Sequence, residues 1–221
     1  MGGPRFALVD DATALRASLG LLLPGLTFVA SHANVECLLA ERPEADVVIL
    51  DLHLANVGQP QASQGPTAIR RITEAGYRVC CYTQEERRFV LAACLAAGAT
   101  GVISKAATLE EAEAGFLAVA DGELVVPPSV AGILEVLVRR GSLTVVSPRQ
   151  RDVLAGRARG LTYAEMSRTL FLSESTLRGY WLELTQTVSR YLQVTSPGDI
   201  EQALGLGPGD LLDVWPEVSR G

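Results

Sequence analysis

The sequence has almost no lysine. Eighteen of its 19 basic residues are arginine, and Lys105 stands alone. One lysine in an arginine-using chain marks a site that needs a compact ammonium on a flexible stem rather than a planar guanidinium. Basic charge is also short overall. The 19 basic residues face 25 acidic ones, for a net charge of −6. That balance argues against a protein that coats nucleic acid non-specifically, but leaves room for one short basic face. Paired cysteines are missing too. Cys37, Cys80, Cys81 and Cys94 contain no C-x-x-C spacing. They read as reduced, mostly buried thiols rather than as a disulfide framework or a zinc site. Apolar runs such as 47–50 and 21–23 are far too short to cross a bilayer. Arg5 leads straight into a strand-like run with no signal-peptide core, so the expected location is cytoplasmic, away from membranes.

What is present is a chain of 221 residues, 48% hydrophobic and 20% charged, able to bury one large core or two small ones. Over the first 120 residues, strand-like and helix-like patterns alternate. Strands are expected at 6–10, 27–30, 46–51, 78–83 and 101–104. Helices are expected at 13–23, 34–41, 66–75, 85–97 and 109–120. The run Val47-Val48-Ile49-Leu50 is apolar throughout, as in a strand covered on both faces. Five β-α units of this kind predict an α/β, doubly wound, parallel five-stranded sheet. In such sheets the functional crevice lies at the carboxyl ends of the strands. Those ends carry Asp10, Asp11, Asp51, Thr83 and Lys105. Clustered carboxylates suit a hard cation such as Mg²⁺, and a carboxylate is itself a competent nucleophile toward phosphorus. A lysine and a threonine hydroxyl beside them would bind phosphoryl oxygens.

The stretches Ala7-Leu8-Val9-Asp10-Asp11, Val47-Val48-Ile49-Leu50-Asp51-Leu52, Tyr82-Thr83 and Gly101-Val102-Ile103-Ser104-Lys105 carry a family likeness. In that order they resemble the flavodoxin-like receiver domain of bacterial two-component response regulators, over residues 5–120. The resemblance implies that Asp51 is phosphorylated by a sensor histidine kinase. It also implies that Asp10, Asp11, Asp51 and the backbone carbonyl of His53 hold Mg²⁺, and that Thr83 and Lys105 act as switch residues. Two features depart from the family pattern. The loop 55–65 is long, with Ala55 where proline is common, and Val102 replaces an aromatic residue. A dehalogenase-type phosphatase also uses Asp, Ser/Thr and Lys in this order. It would need an acid two residues after its nucleophile, where this chain has His53, so the chain is not expected to be an enzyme.

The receiver is expected over residues 1–122 and a linker over 123–146, with a helix at 129–140. Beyond it the pattern changes. Ser147-Pro148 opens one helix, Thr162 caps a second ending at 170, and Ser173 caps a third at 174–188. Two short helices three residues apart are the spacing of a helix-turn-helix. Residues 147–193 hold seven arginines against four acids, whereas residues 194–221 hold one against five. A fourth helix is expected at 196–204. The stretches Ser147-Pro148-Arg149, Gly160-Leu161-Thr162 and Leu172-Ser173-Glu174-Ser175-Thr176-Leu177-Arg178 resemble the LuxR-type DNA-binding domain of the NarL group. The expected small all-α domain spans 147–204, followed by a tail at 205–221. Its third helix would enter the major groove of double-stranded DNA. Ser175, Thr176, Arg178, Gly179 and Tyr180 would face bases, and Arg168 and Ser173 would hold phosphates. Gly179 in mid-helix costs about 1 kcal/mol relative to alanine.

The expected function is therefore that of a response regulator and transcription factor. It would be phosphorylated on Asp51 with Mg²⁺ and would bind DNA as a homodimer. The alternative is an atypical regulator switched by a small ligand or partner protein without phosphorylation.

Overall fold

The computed structural model describes residues 3–54, 58, 61–143 and 145–211. Residues 55–57 and 59–60 of the expected long loop, including Ala55, lie outside the described residues, as do 212–221 of the expected tail. The chain divides into two compact units, residues 1–86 with 97–125 and residues 87–96 with 126–221.

The first unit is built on β1 (Arg5–Val9), β2 (Thr27–His32), β3 (Val47–Leu50), β4 (Arg78–Thr83) and β5 (Gly101–Ser104). All five strands are parallel, in the order β2-β1-β3-β4-β5. This is the expected doubly wound sheet. The connecting helices are α1 (Thr13–Leu22), α2 (Val35–Glu41), α3 (Gly65–Glu74) and α5 (Leu109–Ala120), with α4 (Arg88–Ala96) grouped in the second unit. Strand periodicity sends alternate side chains to opposite faces. Phe6, Leu8, Val47, Ile49, Cys80, Tyr82 and Ile103 share one face and pack in one core with Leu19, Leu23, Phe116 and Val119. Tyr82 meets Phe116 edge to face at 5.4 Å. The opposite face (Ala7, Val9, Val48, Leu50, Val79, Cys81, Val102) is equally buried, which explains why β3 is apolar without alternation.

Glycine permits two close approaches in this unit. A Cβ on Gly101 would lie 2.5 Å from Val119, and one on Gly115 would lie 2.5 Å from Ile103. The free edge of β5 is covered by the chain itself. Val102 N–H donates to the Val125 carbonyl at 2.8 Å, and Val125 N–H donates to Thr100 at 3.2 Å. Both groups of an otherwise open edge are thereby paired.

Two strand and helix ends differ from the sequence expectation. β2 continues through Ser31 and His32, because its ladder with β1 runs on to the Val9–His32 pair. α4 begins at Arg88 rather than at 85. Glu85 N–H is taken by Thr83 Oγ1 and Glu86 N–H by the Glu85 carboxylate, so local side-chain bonds compete with the helix there.

The second unit contains α4, α6 (Pro128–Arg139), α7 (Pro148–Ala158), α8 (Tyr163–Leu170), α9 (Glu174–Val194) and α10 (Pro197–Leu204). Residues 91–96 of α4 are all buried. Trp181 is fully buried, and Val153, Leu154, Met166, Leu177, Leu184 and Val188 of this unit are buried too. Ser147 and Thr162 form reciprocal capping boxes with Gln150 and Glu165, and Ser173 caps α9. α9 runs six residues beyond the expected end at 188, since Leu192 extends its buried stripe and the next breaker is Pro197. Among the described residues no helix is long and apolar enough to cross a membrane.

Candidate functional site

The strand register brings the carboxyl ends of β1, β3, β4 and β5 to one level. Asp10 and Asp51 follow β1 and β3 directly, Thr83 ends β4, and Lys105 follows β5. The loops are tied together by backbone bonds from Asp51 N–H to Val9 and from Lys105 N–H to Thr83, both 2.8 Å. Asp10, Asp51 and Thr83 are buried. Lys105 Nζ donates to Asp10 Oδ2 at 2.7 Å and to Asp51 Oδ2 at 2.8 Å. Burial alone would lower the Lys105 pKa. The hydrogen bonds and charges of the two carboxylates outweigh it and hold the ammonium above its ordinary range.

Asp10, Asp11 and Asp51 each offer an oxygen within 4.8 Å of the others. An all-oxygen donor set of this size, two of its three members buried, fits a hard divalent cation. His53, also expected here, has an exposed ring 3.8 Å from the Glu85 carboxylate. Its N–H approaches Asp51 Oδ1 at 3.4 Å. Thr83 Oγ1 accepts from Glu85 N–H at 3.1 Å.

Sequence reasoning missed Arg16. Its Nη1 donates to the carbonyls of both Asp10 (2.6 Å) and Asp11 (2.8 Å), and its Nη2 reaches Thr13 Oγ1 at 3.1 Å. The only signal available was a single arginine early in an otherwise uncharged helix. On the other side of the same turn, Ala12 N–H donates to Asp10 Oδ1 at 2.8 Å.

In the second unit, α8 and α9 are joined by Phe171, Leu172 and Ser173. Phe171 adopts the left-handed conformation (φ 55°) and is 91% exposed. Arg168, Ser173, Ser175, Thr176, Arg178 and Gly179 are exposed, and Tyr180 is half-buried. Ser173 Oγ lies 2.9 Å from Ser175 Oγ and 2.8 Å from Thr176 Oγ1 at the start of α9. Arg178 stacks on the Tyr163 ring at 4.3 Å, and Arg157 approaches that ring (5.3 Å) and Trp181 (5.5 Å). Tyr163 was not singled out from the sequence, where it reads as an ordinary first-turn helix residue.

No protein-family model matches the chain. It is 26% identical over 184 residues to the nitrate/nitrite response regulator protein NarL of Escherichia coli K12, covering 77% of this chain and 82% of NarL. It is 29% identical over 182 residues to a putative transcriptional regulator of Pseudomonas aeruginosa, covering 78% of this chain and 85% of that one. The fold is similar to that of the RcsB response regulator of Salmonella typhimurium, with a TM-score of 0.54 at 19% identity over 94% of each chain. It is likewise similar to an RcsB–DNA complex, with a TM-score of 0.52 at 19% identity, over 92% of this chain and 98% of RcsB. In sequence the chain is similar to the NarL response regulator, and in fold to RcsB.

Proposed function

We propose that this response regulator is phosphorylated on Asp51 by a sensor histidine kinase and that the phosphoryl group controls its binding to double-stranded DNA. The observation that carries the proposal is the convergence of three carboxylates with Lys105, whose ammonium bonds Asp10 and Asp51 together. An Asp51 oxygen attacks the phosphorus of a phosphohistidine. The P–N bond breaks, the imidazole leaves, and an aspartyl phosphate forms. Asp10, Asp11, Asp51 and the His53 carbonyl would hold Mg²⁺, which when bound neutralises charge on the transferring group. Lys105 already touches Asp51 Oδ2, so it must exchange that contact for a phosphoryl oxygen. The Thr83 hydroxyl, fixed at the end of β4, is the second hydrogen-bonding group offered to the phosphoryl oxygens.

The output lies in α8 and α9. Their exposed hydroxyls and Arg168 suit DNA phosphates, and Arg178 suits a guanine edge. Two solved relatives support this part of the proposal, an RcsB–DNA complex and RcsB dimers bound to two parallel DNAs. A homodimer on paired half-sites is the proposed active form. The chain passes from Thr83 through residues 84–87 into α4, which packs with the C-terminal helices. A change at Thr83 therefore has a short covalent path into that unit.

The test is intact-mass spectrometry after incubation with Mg²⁺ and a small acyl-phosphate donor. The expected result is one added phosphoryl group on the wild type and none on Asp51→Asn. No adduct on folded wild-type protein would refute the proposal and favour a switch by ligand or partner. Val102 would then be the residue to weigh, buried where the family carries an aromatic.

A further inference from the structure

We propose that Arg16 is a positioning residue for the metal-binding carboxylates, holding Asp10 and Asp11 in their binding geometry before a cation arrives. The inference rests on the divalent-cation reading of the acidic pocket. Its basis is which carbonyls Arg16 grips. The Asp10 carbonyl belongs to the peptide plane before the Asp11 Cα, and the Asp11 carbonyl to the plane after it. Those two planes define φ and ψ of Asp11. One nitrogen bonded to both, at 2.6 and 2.8 Å, therefore fixes the backbone that aims the Asp11 carboxylate. The same bond on the Asp10 carbonyl orients the peptide that leaves Asp10, whose side chain is pinned to Ala12 N–H.

Ala12 occupies the N-cap of α1 and has no side chain that could accept from the helix amides. The β1–α1 turn carries two adjacent acids that repel each other and a third acid across the pocket. Without Arg16 the turn loses that restraint. Metal binding would then have to re-order the turn, and that ordering cost is subtracted from affinity.

The sign of the effect separates positioning from simple charge. Arg16 is a cation beside a cation site. If it acted only through its charge, removing it would tighten metal binding. If it positions the carboxylates, removing it weakens binding. Arg16→Met keeps most of the apolar stem and deletes the donors. Arg16→Lys keeps the charge and a nitrogen that can donate to both carbonyls, but without the fixed planar fork.

The probe is Mn²⁺, which takes the same oxygen ligands, measured on the full chain through the electron paramagnetic resonance signal of the free ion. Asp51→Asn locates the binding in the pocket. Arg16→Met is expected to weaken Mn²⁺ binding by about fivefold to tenfold, the scale of losing one or two net hydrogen bonds, with Arg16→Lys recovering part of it. Metal-free hydrogen exchange at residues 10–13 should accelerate in Arg16→Met while the strands stay protected. Unchanged or tighter Mn²⁺ binding in folded Arg16→Met would overturn the proposal. If Arg16→Met does not fold, Arg16→Gln, whose shorter side chain also loses the Nη1 donor, decides by the same criterion. Wild type that binds Mn²⁺ no better than Asp51→Asn removes the metal reading itself, and the positioning role with it. That result is distinct from a wild type that binds and an Arg16 variant that binds as well.

Discussion

Replacing Lys105 with methionine should turn the acidic pocket from the tightest part of the sheet into its weakest. The ammonium lies 2.7 Å from Asp10 and 2.8 Å from Asp51, and the lysine side chain is 15% exposed. Removing one partner of a buried ion pair leaves uncompensated charge and typically costs about 3–5 kcal/mol. Here two carboxylates would be left facing one another. In the wild type the two carboxylates hold the Lys105 pKa up, so the stability that lysine contributes is fully present below the ordinary lysine pKa and is lost only as pH rises through the folded value. Between mildly acidic and neutral pH that contribution is constant.

The assay must report on the sheet. Trp181 belongs to the second unit, so a tryptophan signal is not specific to the sheet. Hydrogen exchange of β1 and β3 peptides across a urea series is. The expected loss in Lys105→Met is about 3–5 kcal/mol at neutral pH. Mg²⁺ at about 100 times its dissociation constant should return about 2.7 kcal/mol, standing in for the missing cation. A loss under about 1 kcal/mol at neutral pH, or one that Mg²⁺ does not reduce, would refute the reasoning.

Two further outcomes are expected. Gly101→Ala sets a methyl 2.5 Å from Val119 and 3.0 Å from Cys80, so the β5 edge should lose about 1–3 kcal/mol in the same exchange experiment. Arg178→Ala should weaken duplex binding and lower the salt slope by about one, and Tyr163→Leu, which removes the ring under Arg178, should produce part of that loss with the fold retained.

Most of the first unit can be read in its sequence because local and global signals agree there. β3 is apolar throughout since both faces are covered, and Asn34, Thr108, Ser147, Thr162, Ser173 and Ser196 each supply the cap oxygen that a helix start demands. The misplaced ends have particular causes. Ser31 and His32 look unlike a strand but are held by a partner 23 residues away in sequence, as the Val9–His32 pairing requires. Glu85 and Glu86 look helical but lose their amides to side chains. Arg16 and Tyr163 were invisible for a deeper reason. Each acts on one specific atom or ring that only the folded chain brings within reach.

The lone lysine shows where composition can anticipate geometry. The pocket asks one cation to meet two carboxylate oxygens from different strands at 2.7 and 2.8 Å in a buried space. An ammonium is a compact donor with three hydrogens spread around one atom, so it can serve divergent acceptors from a single centre. A guanidinium spreads its charge over a plane and matches two oxygens of the same carboxylate, a demand this site does not make. Arginine is used differently: at Arg16 a long side chain reaches back to two successive carbonyls, and at Arg157 and Arg178 a planar guanidinium lies over one ring. The single exception to arginine thus falls where the chemistry of the cation, rather than its charge, is decisive.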